Sequence, residues 1–244
     1  MFGTHFTMSG TISDWIIRMR KTPGLNTLAD ALHSDKRTDY QRLRESGLPT
    51  FADYTTPLGS FHSKNTHLKH FLAAHDAFII RALPHTSELP RRYTIGVRSL
   101  DECQAFLEET VTPGTEQHYS ILLTAYEPPR WSGIIVSRDE DTLIEIAEAG
   151  LDELSHGKVT PVGGHYGFHG FNHFRSMRFN TEDPEEQAVM KLALAYIQRR
   201  VYSPVYADAF PKIDFQRGYF EFVVTEGTNR IRFLDYKVNE SYLA

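Results

Sequence analysis

The run "GYFEFVVTEGTNRIRFLDYK", residues 218–237, alternates apolar and polar side chains on both sides of a glycine-containing turn, the pattern of a β-hairpin. With a three-residue loop at Gly227–Asn229, Glu226 faces Arg230, Val223 faces Phe233 and Glu221 falls opposite Asp235. Like charges in a cross-strand pair repel. The placement of Glu221 and Asp235 becomes sensible if a hard cation such as Mg²⁺, which takes carboxylate oxygens as ligands, sits between them. A register slip of one residue would instead send the two acids to opposite faces, as ordinary surface residues.

The segment "GGHYGFHGFNHF" places His165, His169 and His173 at intervals of four. On a helix that spacing lines up three imidazoles as zinc ligands. The interleaved Gly163, Gly164, Gly167 and Gly170 oppose a helix, at about 1 kcal/mol each. No cysteine or carboxylate lies within the run. A long, aromatic-rich functional loop is the expectation, and a zinc site the alternative.

These groups need elements to position them. "THLKHFLAAH" reads as a helix and "AFIIR", 77–81, as a short buried strand. "SLDECQAFLEE" opens with Ser99 three residues before Glu102, a capping box. "YSILLTAY" and "WSGIIVS" read as strands around "EPPR", and "DPEEQAVMKLALAYIQRRVY" as a helix with Pro184 in its first turn. The first 65 residues, punctuated by "KTPG", "SGLP" and "TTPLGS", suggest short helices and loops. The fold class is α+β.

With 244 residues, 41% hydrophobic and 23% charged, the chain can bury a sizeable core, and no apolar run approaches a membrane span. The net charge of −5 argues against a nonspecific nucleic-acid binder. "MFGTHFTMSG" lacks a basic region followed by an apolar one, and the single cysteine, Cys103, leaves no intramolecular disulfide. A cytoplasmic setting is the expectation, with a small-molecule partner. A second copy of the chain or an assembly partner is left open.

Four segments, in order, resemble the ATP-grasp nucleotide-binding domain of phosphoenolpyruvate synthase and pyruvate phosphate dikinase. "IIRALPHTSELP" is similar to V-R-S-S-A-T-A-E-D-L-P, "LLTAYEPPRWSGIIV" to V-Q-x-M-V-x-x-x-x-S-G-V, "GLDELSHGKVTP" to G-L-G-E-x-L-V-S-G-R-V-T-P with one residue missing, and "YFEFVV…IRFLDYK" to D-I-E-W…L-Q-A-R-P. Together they cover roughly residues 77–244. The resemblance implies a two-lobed fold with antiparallel sheets, an N-terminal lobe of residues 1–115 and a C-terminal lobe of 116–244. It also implies ATP and Mg²⁺ as cofactors and phosphoryl transfer to, or activation of, an acceptor. Glu221 takes the place of the family's metal-binding glutamate, Asp235 that of its glutamine, Lys237 that of its arginine and Arg81 that of its phosphate-contacting arginine. Glu127 would bound an adenine site, and Lys158 and Thr160 would line the phosphate side.

Each residue also has a plainer reading. Arg81 could pair with a carboxylate such as Glu88, Lys237 could protect a sheet edge, and Glu127 could be a solvent-facing loop acid. "TLIEIAEAGL" has helical spacing at Leu143, Ile146, Ala147 and Leu151 where the family has a strand, and the strand is the expectation adopted. The family's N-terminal G-G-K lysine has no counterpart in "PGLNTLADAL", and "RRYTIGV" is too short for its glycine loop. Phosphates need backbone donors and cations, so these departures bear on catalysis more than on fold. A degenerate, non-catalytic binding or structural module is the alternative function.

Overall fold

The computed structural model describes residues 36–62, 66–86, 88–138, 141–155, 157–168, 175–201 and 212–238. In chain order, helix α1 is Lys36–Glu45, strand β1 Asp53–Pro57, α2 Leu58–His62, α3 Thr66–Ala73, β2 Phe78–Pro84, β3 Arg92–Val97 and α4 Leu100–Thr110. There follow β4 Tyr119–Ala125, β5 Pro129–Ser137, β6 Thr142–Ala147, α5 Leu151–Ser155, β7 Val162–Phe168, β8 Arg175–Phe179 and α6 Pro184–Ile197. The remaining strands are β9 Gln198–Val201, β10 Lys212–Phe215, β11 Gly218–Thr225 and β12 Ile231–Lys237. All their pairings are antiparallel, and the fold is α+β as expected.

The chain divides into two compact units, Phe51–Pro128 and a larger one made of the residues up to Thr50 together with Pro129 onward. The sequence expectation puts the boundary near residue 115. The difference is β4, which lies N-terminal to the division and is a central strand of the smaller unit's sheet, order β1-β4-β2-β3.

In the smaller unit, β4 is buried along its whole length. One face of this sheet, through Ile80, Ala82, Ile121 and Leu123, packs with Leu68 of α3 and with Cys103 and Leu107 of α4. The start of α4 is capped as its sequence demands. Ser99 Oγ accepts from the Glu102 amide at 3.1 Å, and the Glu102 carboxylate accepts from the Arg98 amide at 2.9 Å. Gly96, at φ +82, is the extra residue of a β-bulge between the pairs Phe78–Val97 and Ile79–Ile95. "RRYTIGV" is thus the edge strand β3.

The larger unit is built on a six-stranded sheet, order β12-β11-β5-β6-β7-β8, with β10-β9 as a separate ribbon. Strands β4 and β5 are consecutive in sequence but belong to different sheets. Residues 142–147 form a strand, with Ile144 and Ile146 on one face, so the resemblance outweighs the helical spacing. β7 runs through His165 as a strand where a loop is expected, with Gly163 and Gly164 paired to β6 and Gly164 and Gly167 paired to β8. Gly164 lets Met177 and Phe179 close over the sheet, since a Cβ there would lie 2.3 Å from Met177 Cε. His169 and His173 fall outside the described residues.

The sheet's two faces differ. One holds the main core, where Trp131, Ile135, Phe220, Phe222 and Phe233 meet α6 through Val189, Met190, Ala193 and Ile197. The N-cap of α6 is Asp183, whose carboxylate accepts from the Glu185 amide, and Pro184 occupies the first turn where its missing N–H costs nothing. The other face carries a smaller apolar cluster, in which Leu154 of α5 covers Ile134 and Ala147. Beside that cluster lie the charged residues of interest.

Candidate functional site

The hairpin places Glu221 and Asp235 opposite each other, and it does so by a different route from the simple three-residue loop. Thr225 and Arg230 close the turn, with the Thr225 amide donating to the Arg230 carbonyl at 3.0 Å and Asn229 at φ 50 inside it. Near the turn the pairs are therefore Val224–Ile231, Val223–Arg232 and Phe222–Phe233, one residue away from the expected Val223–Phe233 and Glu226–Arg230. A bulge then inserts one residue on β12 between Phe233 and Asp235, and the ladder resumes as Glu221–Asp235, Phe220–Tyr236 and Tyr219–Lys237.

The bulge decides which way Asp235 points. Phe233 packs against Phe222 on the core face, and Tyr236 stacks on Phe220 at 4.6 Å, also on the core face. In a regular strand residues two apart share a face, so Asp235 would follow Phe233 into the hydrocarbon core. The extra residue makes the step from Phe233 to Tyr236 three residues long and turns Asp235 to the side of Glu221. Re-aiming a side chain in this way is a recurrent use of bulges beside functional sites.

Each carboxylate is held by a group two residues along its own strand. Tyr219 donates its hydroxyl to Glu221 Oε1 at 2.8 Å, and Lys237 Nζ lies 3.2 Å from Asp235 Oδ2. Tyr219 and Lys237 are themselves a cross-strand pair, so the four side chains form a square on one sheet face. Asp235 is 1% exposed and Lys237 7%. Lys237 is therefore part of a buried ion pair, which the edge-protecting reading of a solvated lysine does not describe. Registry extends the same face across the sheet, with Glu221 beside Ile134 and Ile134 beside Glu145. Ser132, retained in the resemblance, is buried beside Val223, and among the described residues its hydroxyl has no hydrogen-bond partner.

The donor set fits one small hard cation in a limited way. Two adjacent carboxylates are hard oxygen donors, and Mg²⁺ commonly uses one or two carboxylates while phosphates and water complete its shell. No group of three or more His, Cys, Asp or Glu side chains suited to a metal occurs among the described residues. The remaining ligands would have to arrive with the nucleotide.

The other residues singled out by sequence lie as follows. Arg81, half-buried in β2, belongs to the smaller unit and donates through Nη1 to Thr124 Oγ1 at 3.0 Å; the hydroxyl stands where the plainer reading expects a carboxylate such as Glu88. Glu127 is half-buried in the connection between β4 and β5. Gly157, at φ +65, ends α5, and the Lys158 amide closes the helix end on the Glu153 carbonyl at 2.8 Å. The Lys158 ammonium lies 3.4 Å from Asp152 at the surface, and Thr160 is exposed. The shape of "GLDELSHGKVTP" thus serves to dock Leu154 onto the sheet. Sequence reading missed Tyr219, although its position two residues before Glu221 on an alternating strand was the available signal.

No protein-family model matches the chain, and no curated protein does. Solved structures do. The chain is similar to ligases. D-alanyl-alanine synthetase A from Vibrio cholerae O1 biovar eltor matches with TM-score 0.41 and 12% identity, covering 86% of this chain and 56% of that one. A Chryseobacterium gregarium RiPP-associated ATP-grasp ligase, in complex with ADP and a leader and core peptide, matches with TM-score 0.41 and 12% identity over 84% of this chain and 51% of the other. D-alanine–D-alanine ligase from Bacillus anthracis complexed with ATP matches with TM-score 0.39 and 13% identity over 83% and 55%. The chain spans about half the length of these structures. None of the three is a phosphoenolpyruvate synthase or a dikinase. Among the described residues no helix is long and apolar enough to cross a membrane.

Proposed function

We propose that the chain is an ATP-grasp-type protein that binds Mg²⁺-ATP on the sheet face bearing Glu221 and Asp235, and activates an acceptor by phosphoryl transfer. The observation that carries this reading is the bulge that turns Asp235 out of the core and beside Glu221. Adjacent like charges, here a buried Asp235 beside a half-buried Glu221, are costly to maintain, and a cation shared with phosphate is the chemistry that uses them.

Glu221 and Asp235 would hold Mg²⁺, which would supply neutralisation of phosphate charge. Tyr219 fixes the Glu221 carboxylate through its hydroxyl, and the Lys237 ammonium beside Asp235 would add positive charge for a phosphate oxygen. Phosphoryl transfer relies on such positioning and charge stabilisation. Arg81, on the smaller unit, is proposed as a phosphate contact on its residue type and its place in the resemblance alone. Glu127, Lys158 and Thr160 are proposed as nucleotide contacts on the same footing. A second reading, a nucleotide-binding module without turnover, draws support from Lys237 at Asp235 and from the missing lysine and glycine loop.

Thermal melting tests the proposal. A ligand at a hundredfold excess over its dissociation constant stabilises by about 2.7 kcal/mol, or roughly 5 to 11 °C in a chain of this size. Mg²⁺-ATP should give such a shift, ATP without the metal a much smaller one, and Glu221→Gln should abolish most of it. An unchanged melting temperature at millimolar Mg²⁺-ATP rejects nucleotide binding, and a shift without ATP hydrolysis in the presence of candidate acceptors favours the module.

A further inference from the structure

Strand β3 is an edge of the smaller unit's sheet. It pairs with β2 on one side, and among the described residues no backbone hydrogen bond joins residues 91–97 to any other segment. Alternate N–H and C=O groups of such a strand point away from its neighbour, ready for another strand. The side chains do not protect this edge. Tyr93 and Ile95 are 59% and 51% exposed, and they pair with Arg81 and Ile79, on the sheet face away from the one packed with α3 and α4. Tyrosine, threonine and isoleucine, consecutive at 93–95, are all strong strand formers. The bulge at Gly96 ends the regular ladder, so the part open to a partner is Arg92–Ile95.

Charge at the start of the strand selects the partner. Arg91 and Arg92 are exposed, and neither forms an ion pair among the described residues. All pairings in this sheet are antiparallel, and a further antiparallel strand would bring its C-terminal end beside these arginines. We propose that the edge of β3 binds an extended peptide segment of a partner protein as an added antiparallel strand. Its alternating apolar side chains would cover Tyr93 and Ile95, and acidic residues at its C-terminal end would meet Arg91 and Arg92. In strand addition the main-chain hydrogen bonds give affinity and the side chains give selectivity. A second copy of this chain fits the edge less well. In the register that pairs the whole of β3 with itself, Arg92 opposite Val97, Arg91 of each copy falls opposite Arg98 of the other, and like charges oppose each other twice. The inference goes beyond the proposed function and rests on none of the residues proposed there as nucleotide or metal contacts.

Two fluorescein-labelled peptides, Thr-Val-Thr-Val-Glu-Glu and Thr-Val-Thr-Val-Lys-Lys, titrated with the full chain and followed by fluorescence anisotropy, test this. The acidic peptide should bind with a submillimolar dissociation constant. The basic one should bind at least about tenfold more weakly, the size expected when two cross-strand charge contacts change sign. Arg91→Glu combined with Arg92→Glu, both at exposed positions, should reverse the preference. Amide hydrogen exchange in the presence of the acidic peptide should slow within residues 92–95. No binding of the acidic peptide at millimolar concentration, a preference unchanged by the charge reversal, or protection that spares residues 92–95 overturns the proposal. A wild-type chain that sediments as a dimer, and as a monomer in Ile95→Lys, also overturns it and assigns the edge to a second copy. Should the charge-reversed protein not fold, the exchange pattern of wild type decides.

Discussion

Gly133 is a position beside the site at which a single methyl group should do measurable damage. It sits on β5 directly opposite Phe222, and the tip of the Phe222 ring occupies the space where a side chain would begin. A Cβ at residue 133 would fall 2.1 Å from Phe222 Cζ, 2.4 Å from Cε1 and 2.9 Å from Cε2. Ordinary carbon contacts are about 3.5–4.0 Å, so the ring must retreat by more than an ångström. Phe222 has nowhere to go, being fully buried and in contact with Phe233. Overpacking of this kind costs about 1–3 kcal/mol, and alanine's advantage over glycine in a strand returns only about 0.5–1 kcal/mol. The overlap of three ring atoms argues for the upper end, a net loss near 2 kcal/mol or roughly 4–8 °C in melting temperature. Gly133→Ala should show this by calorimetry or circular dichroism. Phe222→Leu alone should also destabilise, through the cavity it leaves, but the double variant should be more stable than the sum of the two by at least about 1 kcal/mol. Strict additivity, or a Gly133→Ala protein that melts with wild type, would refute the reasoning.

Two further outcomes follow from the smaller unit. Burial, and secondarily the nearby Glu102 carboxylate, push the Cys103 thiol up from 9.0 to about 12. It should resist an aromatic disulfide reagent at pH 8 in the native protein and react at once in denaturant; because the folded value is the raised one, this thiol's contribution to stability is intact below pH 9 and declines as pH climbs toward 12. Ser99→Ala removes the hydroxyl that caps α4 and should cost about 1 kcal/mol in urea unfolding, with Ser99→Asp near wild type.

The sequence made the Glu221–Asp235 pair visible through two displacements that cancel. The turn is one residue longer than the three-residue loop, and the bulge on β12 takes up one residue, so the pair beyond it is the expected one while Val223–Phe233 is not. Nothing local in "IRFLDYK" announces a bulge; it is set by Phe233 and Tyr236 both seeking the core. The Ser99 cap was readable because its hydroxyl acts on an amide three residues away. Strand 142–147 was obscured because it is buried on both faces at Ile144, Ile146 and Ala147, which blurs the period of two. The glycines of 163–167 argued correctly against a helix. They could not reveal that Met177 and Phe179, from the next strand, need the space above Gly164. The hydroxyl partner of Arg81, Thr124, is supplied by a neighbouring strand and lies beyond any local signal.

The order in which the chain is written carries a consequence of the two-unit division. The smaller unit is one uninterrupted stretch, residues 51–128, inserted into a larger unit whose helix α1 precedes it and whose sheet follows it. The partner of α1 is β12, and the Phe233 amide donates to the Pro49 carbonyl at 2.8 Å. During synthesis the inserted unit has all its strands as soon as residue 128 has left the ribosome. Helix α1 must wait, its apolar side open to solvent, until the hairpin that carries Glu221 and Asp235 is made. At the roughly 5–20 residues per second of translation that interval is seconds long, ample time for a domain to fold within it. Ribosome-bound chains long enough for residue 128 to have left the ribosome, but ending before the hairpin, should therefore hold a protease-resistant smaller unit attached to a cleavable α1.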